Sequence, residues 1–174
     1  PVDWAPQDLV PVPGSELPLR AEAASAAGGL LEAAAAAGHE LVTLSAHRSH
    51  AYQVRTYGHW VAELGRAEAD RVSARPGHSE HQTGLAWDVG DAAAPSCDLE
   101  ACFGDTAAGR WVAGHAAEHG FVVRYPAGAE PVTGFAHEPW HLRYVGPAAA
   151  GRIEAAGGVL ETAWGLPAAP DYTG

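Results

Sequence analysis

Short segments with the apolar pattern of β-strands are separated by helical stretches of unequal length, and this order limits the fold more than any other feature. Strands are predicted over four segments: Glu40–Ser45, Leu85–Val89, Phe121–Tyr125 and Trp140–Val145. Helices are predicted over four others: Arg20–Ala37, His50 to about Leu64, Thr106–His119 and Ala148–Ala156. Because these elements do not alternate as in repeated βαβ units, we expect an α+β protein.

The length of 174 residues fits a single domain with its own core. Several prolines fall within the first twenty residues, and since proline interrupts a helix, an extended N-terminal arm is predicted over residues 1–20. The main domain is predicted over residues 21–166, and a Pro-rich tail over residues 167–174. Within the first helix, the pair Gly28-Gly29 is expected to weaken or kink the backbone.

The charge of the chain argues against two classes of partner. The formal net charge is -11, which disfavours broad contact with nucleic acid or with an anionic membrane, because both require clustered basic residues. No run of 18 apolar residues is present, so no membrane span is predicted. The chain contains no methionine, and we therefore expect that a segment upstream of Pro1, such as a signal peptide or a membrane anchor, has been removed or trimmed.

The only two cysteines, Cys97 and Cys102, lie in one loop-like stretch. A local disulfide is the favoured interpretation, with free thiols as the alternative. Such a bond would indicate an oxidising, extracytoplasmic compartment. A zinc site built on these cysteines is disfavoured, because four ligands would have to come from one pair and distant histidines.

The first segment with potential chemistry runs from Ser79 to Asp88. His81 lies in a polar loop that leads into a strand, and Asp88 follows inside that strand beside the small residues Ala86 and Gly90. A carboxylate on a strand is costly to bury unless it is paired or coordinates a metal, and the small neighbours leave room for an ion. The spacing alone also fits an ordinary paired carboxylate.

The second segment contains Glu138 and His141 around Pro139. The proline excludes a helix at Glu138, so this is not a helical His-Glu zinc motif. A bend at the start of the strand would let both side chains face one cavity. Two imidazoles and one carboxylate leave a zinc position open for water, and a further carboxylate beside it is a candidate base. The alternative is a salt-bridged Glu and a core His.

Arg48 lies at the end of a predicted strand, and its fixed charge could stabilise an oxyanion or hold a substrate carboxylate. Alone, it would be an ordinary surface arginine. Serine-hydrolase chemistry is disfavoured, because neither Gly-x-Ser-x-Gly nor Ser-x-x-Lys occurs in the chain.

Taken together, these segments resemble the VanY-type zinc D-alanyl-D-alanine carboxypeptidases. Residues 75–88, RPGHSEHQTGLAWD, are similar to that family's first zinc segment, and residues 133–146, TGFAHEPWHLRYVG, are similar to its second. The likeness extends from about Ala46 to Glu161. It implies a single α+β domain with a central antiparallel sheet flanked by helices, a fold shared with Hedgehog signalling domains, and it makes residues 21–166 a zinc D,D-peptidase domain.

The resemblance also assigns roles to individual residues. It implies that one Zn²⁺ per chain is bound by three ligands: His81, Asp88 and His141. Glu138 would be the base, and Arg48 would steady the scissile carbonyl. Ser79 would contact the substrate's terminal carboxylate, and Gln53 is a weaker candidate for the substrate pocket. This chain departs from the family at Ala46-His47, where Gly-Tyr is usual, and at His137, where Tyr is common.

The implied partner is a peptidoglycan stem peptide or precursor that ends in D-Ala-D-Ala, and the implied location is extracytoplasmic, at a bacterial cell wall. A D,D-dipeptidase and a peptidoglycan endopeptidase of the same fold are alternatives within the enzymes. A non-catalytic zinc-binding module and a metal-free structural domain are alternatives of other classes. A monomer is favoured.

Overall fold

The computed structural model describes residues 4–169 and has the predicted α+β organisation, built around a four-stranded sheet. The strands of this sheet are β3 (Leu41–Ser45), β4 (Ala86–Asp91), β5 (Phe121–Tyr125) and β6 (Glu138–Tyr144). Their order is β3-β4-β6-β5, and every neighbouring pair is antiparallel. The α+β fold class and the central antiparallel sheet are therefore confirmed.

Helices cover and border this sheet. The longer ones are α1 (Ala21–Ala36), α2 (His50–Leu64), α4 (Ala107–His115) and α6 (Pro147–Ala155). Three shorter helices were not predicted: α3 (Arg66–Val72), α5 (Glu130–Thr133) and α7 (Leu160–Trp164). The predicted helix over Thr106–His119 changes to a 3₁₀ turn after His115, so its last part is wound more tightly than expected.

The N-terminal segment is not a single extended arm. Strands β1 (Leu9–Pro11) and β2 (Pro18–Arg20) pair antiparallel, with Pro11 opposite Pro18, and form a two-stranded sheet. Val12 and Leu19 are almost fully buried in the main core. The prolines exclude a helix here, as expected, but Pro11 and Pro18 occupy the ends of paired strands, where few backbone N–H donors are required. Residues 1–3 of the predicted arm lie outside the described residues, as do residues 170–174 of the predicted tail.

Helix α1 runs without interruption through Gly28 and Gly29, where weakening or a kink was expected. A Cβ atom at Gly28 would lie 3.1 Å from Cγ of Pro13, and one at Gly29 would lie 3.2 Å from Nδ1 of His119. Both glycines therefore lie where neighbouring residues approach the helix closely. The close approach accounts for glycines in a helix that is otherwise made of strong helix formers.

The core lies on one face of the sheet, between the strands and helices α1 and α4. Trp87 is fully buried there, with its ring centroid 5.4 Å from that of Phe121. Because side chains alternate along a strand, the burial of Trp87 and Val89 in this core directs Asp88 to the opposite face. The fold thus separates the apolar residues of β4 from its one central carboxylate.

The loop after β4 is closed by a disulfide between Cys97 and Cys102, the arrangement favoured from the sequence. Within residues 4–169, no helix combines the length and the apolar character that crossing a bilayer requires.

Two glycines of α4 offer a matched test of the packing between this helix and the preceding loop. A Cβ atom at Gly109 would lie 1.9 Å from the backbone oxygen of Phe103, whereas one at Gly114 would meet no atom of the described residues within 4 Å. We expect Gly109→Ala to lower the free energy of unfolding by about 1–3 kcal/mol or more. We expect Gly114→Ala to leave it unchanged or to raise it by up to about 1 kcal/mol. Urea unfolding curves measure both, and equal effects of the two substitutions would contradict the packing described here.

Candidate metal centre

The pairing of β4 with β6 places Asp88 directly opposite His141. Oδ1 of Asp88 lies 3.2 Å from Nδ1 of His141. Both side chains are buried, with 5% and 6% of their surface exposed. Two residues that are 53 positions apart in the chain therefore become neighbours through the register of the central sheet.

His81 joins them from a 3₁₀ turn, Glu80–Thr83, that leads into β4. Its Nδ1 lies 2.6 Å from the backbone oxygen of Ala46, which can only accept, so this nitrogen carries the proton. Nε2 is thereby left with its lone pair and lies 3.3 Å from Oδ2 of Asp88. Gly84 ends the turn in the left-handed conformation, with φ of 69°, which glycine adopts without strain.

The three side chains fit a metal ion. One ligand atom from each of His81, Asp88 and His141 can be chosen so that all lie within 4.8 Å of one another. Nε2 of His81 and Oδ1 of Asp88 are buried and make no hydrogen bond within residues 4–169, and such atoms are costly unless something satisfies them. Two imidazoles with one carboxylate are a common zinc donor set that leaves a position for water or substrate. The arrangement predicted from the sequence is thus present as geometry, while the zinc-ligand role of each residue stays a prediction.

The electrostatics of the cluster favour an ionised carboxylate. Burial raises the pKa of Asp88, but the two neighbouring imidazoles outweigh burial and hold the pKa below its usual range. Burial lowers the pKa of His81, which keeps that imidazole neutral. An ionised carboxylate and a neutral imidazole are the protonation states in which these groups bind a cation.

Glu138 reaches the same cavity because of an irregularity in β6. Tyr125 pairs with Glu138 and Val123 pairs with Leu142, so two steps along β5 correspond to four steps along β6. This bulge turns Glu138 and His141 to one side despite their odd spacing, as the sequence suggested. Oε2 of Glu138 lies 3.5 Å from Nδ1 of His141. Burial raises the pKa of the Glu138 carboxyl to about 7, which suits a group that both takes up and releases a proton near neutrality.

Arg48 is brought to the site by the chain that follows β3. Its backbone N–H donates to the oxygen of His81 at 3.2 Å. Its positive charge lowers the pKa of Glu138 and of His81. Nε of Arg48 is buried and makes no hydrogen bond in the described part of the chain, so it is available to a ligand.

Ser79 and Gln53 are both buried. Ser79 is buried at the start of the 3₁₀ turn that carries His81. Gln53 is buried on α2, and its amide nitrogen donates to Oγ of Ser73 and to the oxygen of Ala74, at 3.2 and 2.7 Å. Its Oε1 has no hydrogen-bond partner among residues 4–169, so this acceptor is unsatisfied. The roles of Ser79 and Gln53 in substrate binding stay predictions.

A buried charge network beside the cluster was missed from the sequence. Oε1 of Glu80 accepts from Nε of Arg124 at 2.9 Å and lies 3.2 Å from a terminal nitrogen of Arg143. Arg124 also donates to both carboxylate oxygens of Glu161 on α7. One signal was present: an arginine in the middle of the apolar strand β5 requires a buried partner. The identity of that partner depends on contacts across about 40 residues of chain.

Comparisons with known proteins identify the family of the chain. The chain matches the family model of the VanY D-alanyl-D-alanine carboxypeptidases over residues 16–147. It is 39% identical over 163 residues to YodJ of Bacillus subtilis (strain 168), an alignment that covers 88% of this chain. The chain spans only 59% of the length of YodJ.

Solved structures share the fold at significant identity. The structure of the LdcB LD-carboxypeptidase has a TM-score of 0.86 and 38% identity, and the match covers 96% of this chain and 81% of that one. The vancomycin resistance D,D-pentapeptidase VanY, solved as a mutant in complex with Zn(II), has a TM-score of 0.78 and 29% identity over 92% of this chain and 93% of that one. The matched family model, the fold and the clustered His81, Asp88 and His141 lead to one conclusion: the chain belongs to the VanY D-alanyl-D-alanine carboxypeptidase family.

Proposed function

We propose that this chain is a zinc-dependent carboxypeptidase that removes the C-terminal D-Ala from peptidoglycan stem peptides. The observation that carries the proposal is the position of Glu138, a buried carboxylate 3.5 Å from a member of the three-residue cluster. A purely structural zinc site requires no such additional carboxylate. A hydrolytic site requires one as its base.

His81, Asp88 and His141 would hold the metal in this proposal. Zinc, when bound, supplies a Lewis acid that polarises the scissile carbonyl and makes water acidic enough to be deprotonated near neutral pH. The VanY pentapeptidase, which shares 29% of its sequence with this chain, was solved with Zn(II), and this supports zinc over other metals.

Glu138 takes a proton from the attacking water and later returns it to the departing amine. Arg48, whose backbone N–H donates to the oxygen of His81, would stabilise the negative charge that develops on the carbonyl oxygen. Its guanidinium nitrogen Nε, buried without a hydrogen-bond partner in the described chain, is suited to this task. Ser79 and Gln53 would hold the substrate, Ser79 through the terminal carboxylate.

We propose that the protein acts outside the cytoplasm, at the cell wall, where its proposed substrate is found. LdcB is described as recognising peptidoglycan, and this chain shares 38% of its sequence. The disulfide between Cys97 and Cys102 is compatible with that location, because such bonds persist in oxidising compartments. A monomer in solution remains our expectation.

A second candidate is the removal of D-Ala from a peptide in which an L-residue precedes it. LdcB is an LD-carboxypeptidase and is 38% identical to this chain, whereas the D,D-pentapeptidase VanY is 29% identical. The two reactions differ in the residue on the acyl side of the scissile bond, which has the D configuration in one and the L configuration in the other. His47 and His137, which depart from the usual family pattern, are candidates for contact with that residue.

The proposal is tested by incubating the zinc-loaded protein with three peptides and measuring the D-Ala released from each. The peptides are a stem ending in D-Ala-D-Ala, a stem ending in an L-residue followed by D-Ala, and free D-Ala-D-Ala. We expect fastest release from the first, loss of release after chelation, and recovery when zinc is restored.

Each other result identifies an alternative. Preference for the second peptide would select the L,D reaction, and preference for the free dipeptide would select a dipeptidase. Cleavage inside the stem without D-Ala release would indicate an endopeptidase. A protein that binds zinc but cleaves none of the peptides would be a non-catalytic module.

A further inference from the structure

The imidazole of His141 has two nitrogens, and the structure gives them different surroundings. Nδ1 faces the cluster, 3.2 Å from Oδ1 of Asp88. Nε2 points the other way, toward Oε2 of Glu80 at 3.8 Å. Nε2 of His141 and Oε2 of Glu80 are both buried, and neither makes a hydrogen bond within the described chain. At 3.8 Å no water fits between them, so a small rotation of either side chain brings these two unsatisfied atoms within hydrogen-bond distance.

The other oxygen of Glu80 is already fixed. Oε1 accepts from Nε of Arg124 at 2.9 Å and lies 3.2 Å from Arg143. Arg124 is itself 8% exposed and is held from its far side by Glu161, with one of the two contacts at 3.1 Å. Glu80 therefore cannot turn away from His141 without breaking buried ion pairs, which is costly.

We propose that Glu80 is a positioning residue that holds His141 with Nδ1 toward the metal. A carboxylate that is ion-paired with two arginines can only accept hydrogen bonds, so Nε2 must carry the proton that it receives. In a neutral imidazole, the lone pair then lies on Nδ1, where a cation can bind it. Ligating histidines commonly donate their second N–H to a carboxylate in this way. The inference rests on the proposed function, because it takes His141 as a metal ligand.

If Glu80 has this role, even the isosteric substitution Glu80→Gln should weaken metal binding by His141. In Glu80→Gln, the two arginine donors keep the amide oxygen on their side, so the amide NH₂ group faces Nε2 of His141. An NH₂ group donates, and it therefore favours the tautomer in which the proton is on Nδ1, the nitrogen that the metal requires. A residue that only filled space would tolerate this isosteric change.

The experiment measures zinc affinity by competition with a chelator for the wild-type protein, Glu80→Gln, Glu80→Ala and the control Glu68→Gln. Glu68 is half-exposed and pairs with Arg71 at 3.3 Å on α3, so its substitution removes the same charge outside the cluster. We expect both Glu80 variants to bind zinc about 10- to 100-fold more weakly, with the control unchanged. Affinities of both Glu80 variants within about twofold of the control would overturn the inference, since an outer partner of a ligating histidine typically matters by at least tenfold.

A second readout separates orientation from a general effect of charge, and its wild-type arm does not require a variant that folds. In the zinc-loaded wild-type protein labelled with ¹⁵N-histidine, we expect the Nε2 proton of His141 as a slowly exchanging ring N–H resonance. It should be kept in Glu68→Gln and lost or fast-exchanging in Glu80→Gln. Absence of this proton in the wild type, or its persistence in Glu80→Gln, would overturn the positioning role alone. A wild-type protein that takes up no zinc would overturn the proposed function and, with it, this inference.

Discussion

Replacement of Glu138 by Gln is expected to reduce kcat for D-Ala release by about 100- to 10,000-fold, the usual contribution of a general acid-base group, while zinc remains bound. The side chain keeps its size in this variant but can no longer take a proton from water. The cluster itself is untouched, because His81, Asp88 and His141 supply the ligand atoms. Glu138→Ala removes the carboxylate altogether and should abolish turnover, again with zinc bound.

The measurement combines steady-state release of D-Ala with the zinc content of the same samples. Glu130→Gln serves as the matched control, because Glu130 is a partly exposed carboxylate on α5 that pairs with Arg71. Normal turnover in the control with zinc-replete, inactive Glu138 variants is the expected pattern. Turnover retained in Glu138→Gln and Glu138→Ala would refute the assignment of the base.

Replacement of Asp88 by Asn is expected to reduce zinc content from one ion per chain to a trace. The cluster then loses its only carboxylate and with it the charge that attracts the cation. Because Asp88 would bind the metal directly, we expect Asp88→Asn to lose more zinc affinity than the roughly 10- to 100-fold that is typical when a residue hydrogen-bonded to a ligand is replaced. Activity should disappear with the metal.

Asp91 provides a control on the same strand. It is buried, and its Oδ1 accepts from the backbone N–H of Ala93 at 2.9 Å, a bond that an asparagine can also accept. Asp91→Asn should therefore keep both the fold and the zinc. Zinc content would be measured on dialysed protein by atomic emission. Full zinc content in Asp88→Asn, or an equal loss in both variants, would contradict the role of Asp88.

The parts of the fold that follow local rules were predictable from the sequence. Strand β4 was recognised because large and small residues alternate around Trp87, and α1 because it consists almost entirely of strong helix formers. The hairpin of β1 and β2 was not recognised, because prolines in a strand argue against pairing unless they fall at its ends. Helix α7 has only five residues, too few to produce a helical period.

The site shows the same division between local and long-range information. His81 and Asp88 belong to one continuous segment. Their relation to His141 was predicted because this segment and the one around His141 resemble the two zinc segments of the VanY family. The register that pairs Asp88 with His141 depends on the whole sheet, which no local pattern specifies. The contact of Glu80 with Arg124 joins residues 44 positions apart, and only the folded chain reveals it.

The central claim is that three side chains hold one zinc ion within reach of Glu138. Anomalous diffraction at the zinc absorption edge from crystals of the zinc-loaded protein tests this most directly. We predict a single strong peak about 2.0–2.2 Å from a nitrogen of His81, a nitrogen of His141 and an oxygen of Asp88, with the carboxylate of Glu138 facing an open coordination position. A peak bound elsewhere, no peak at this cluster, or a Glu138 carboxylate turned away from the ion would contradict the account.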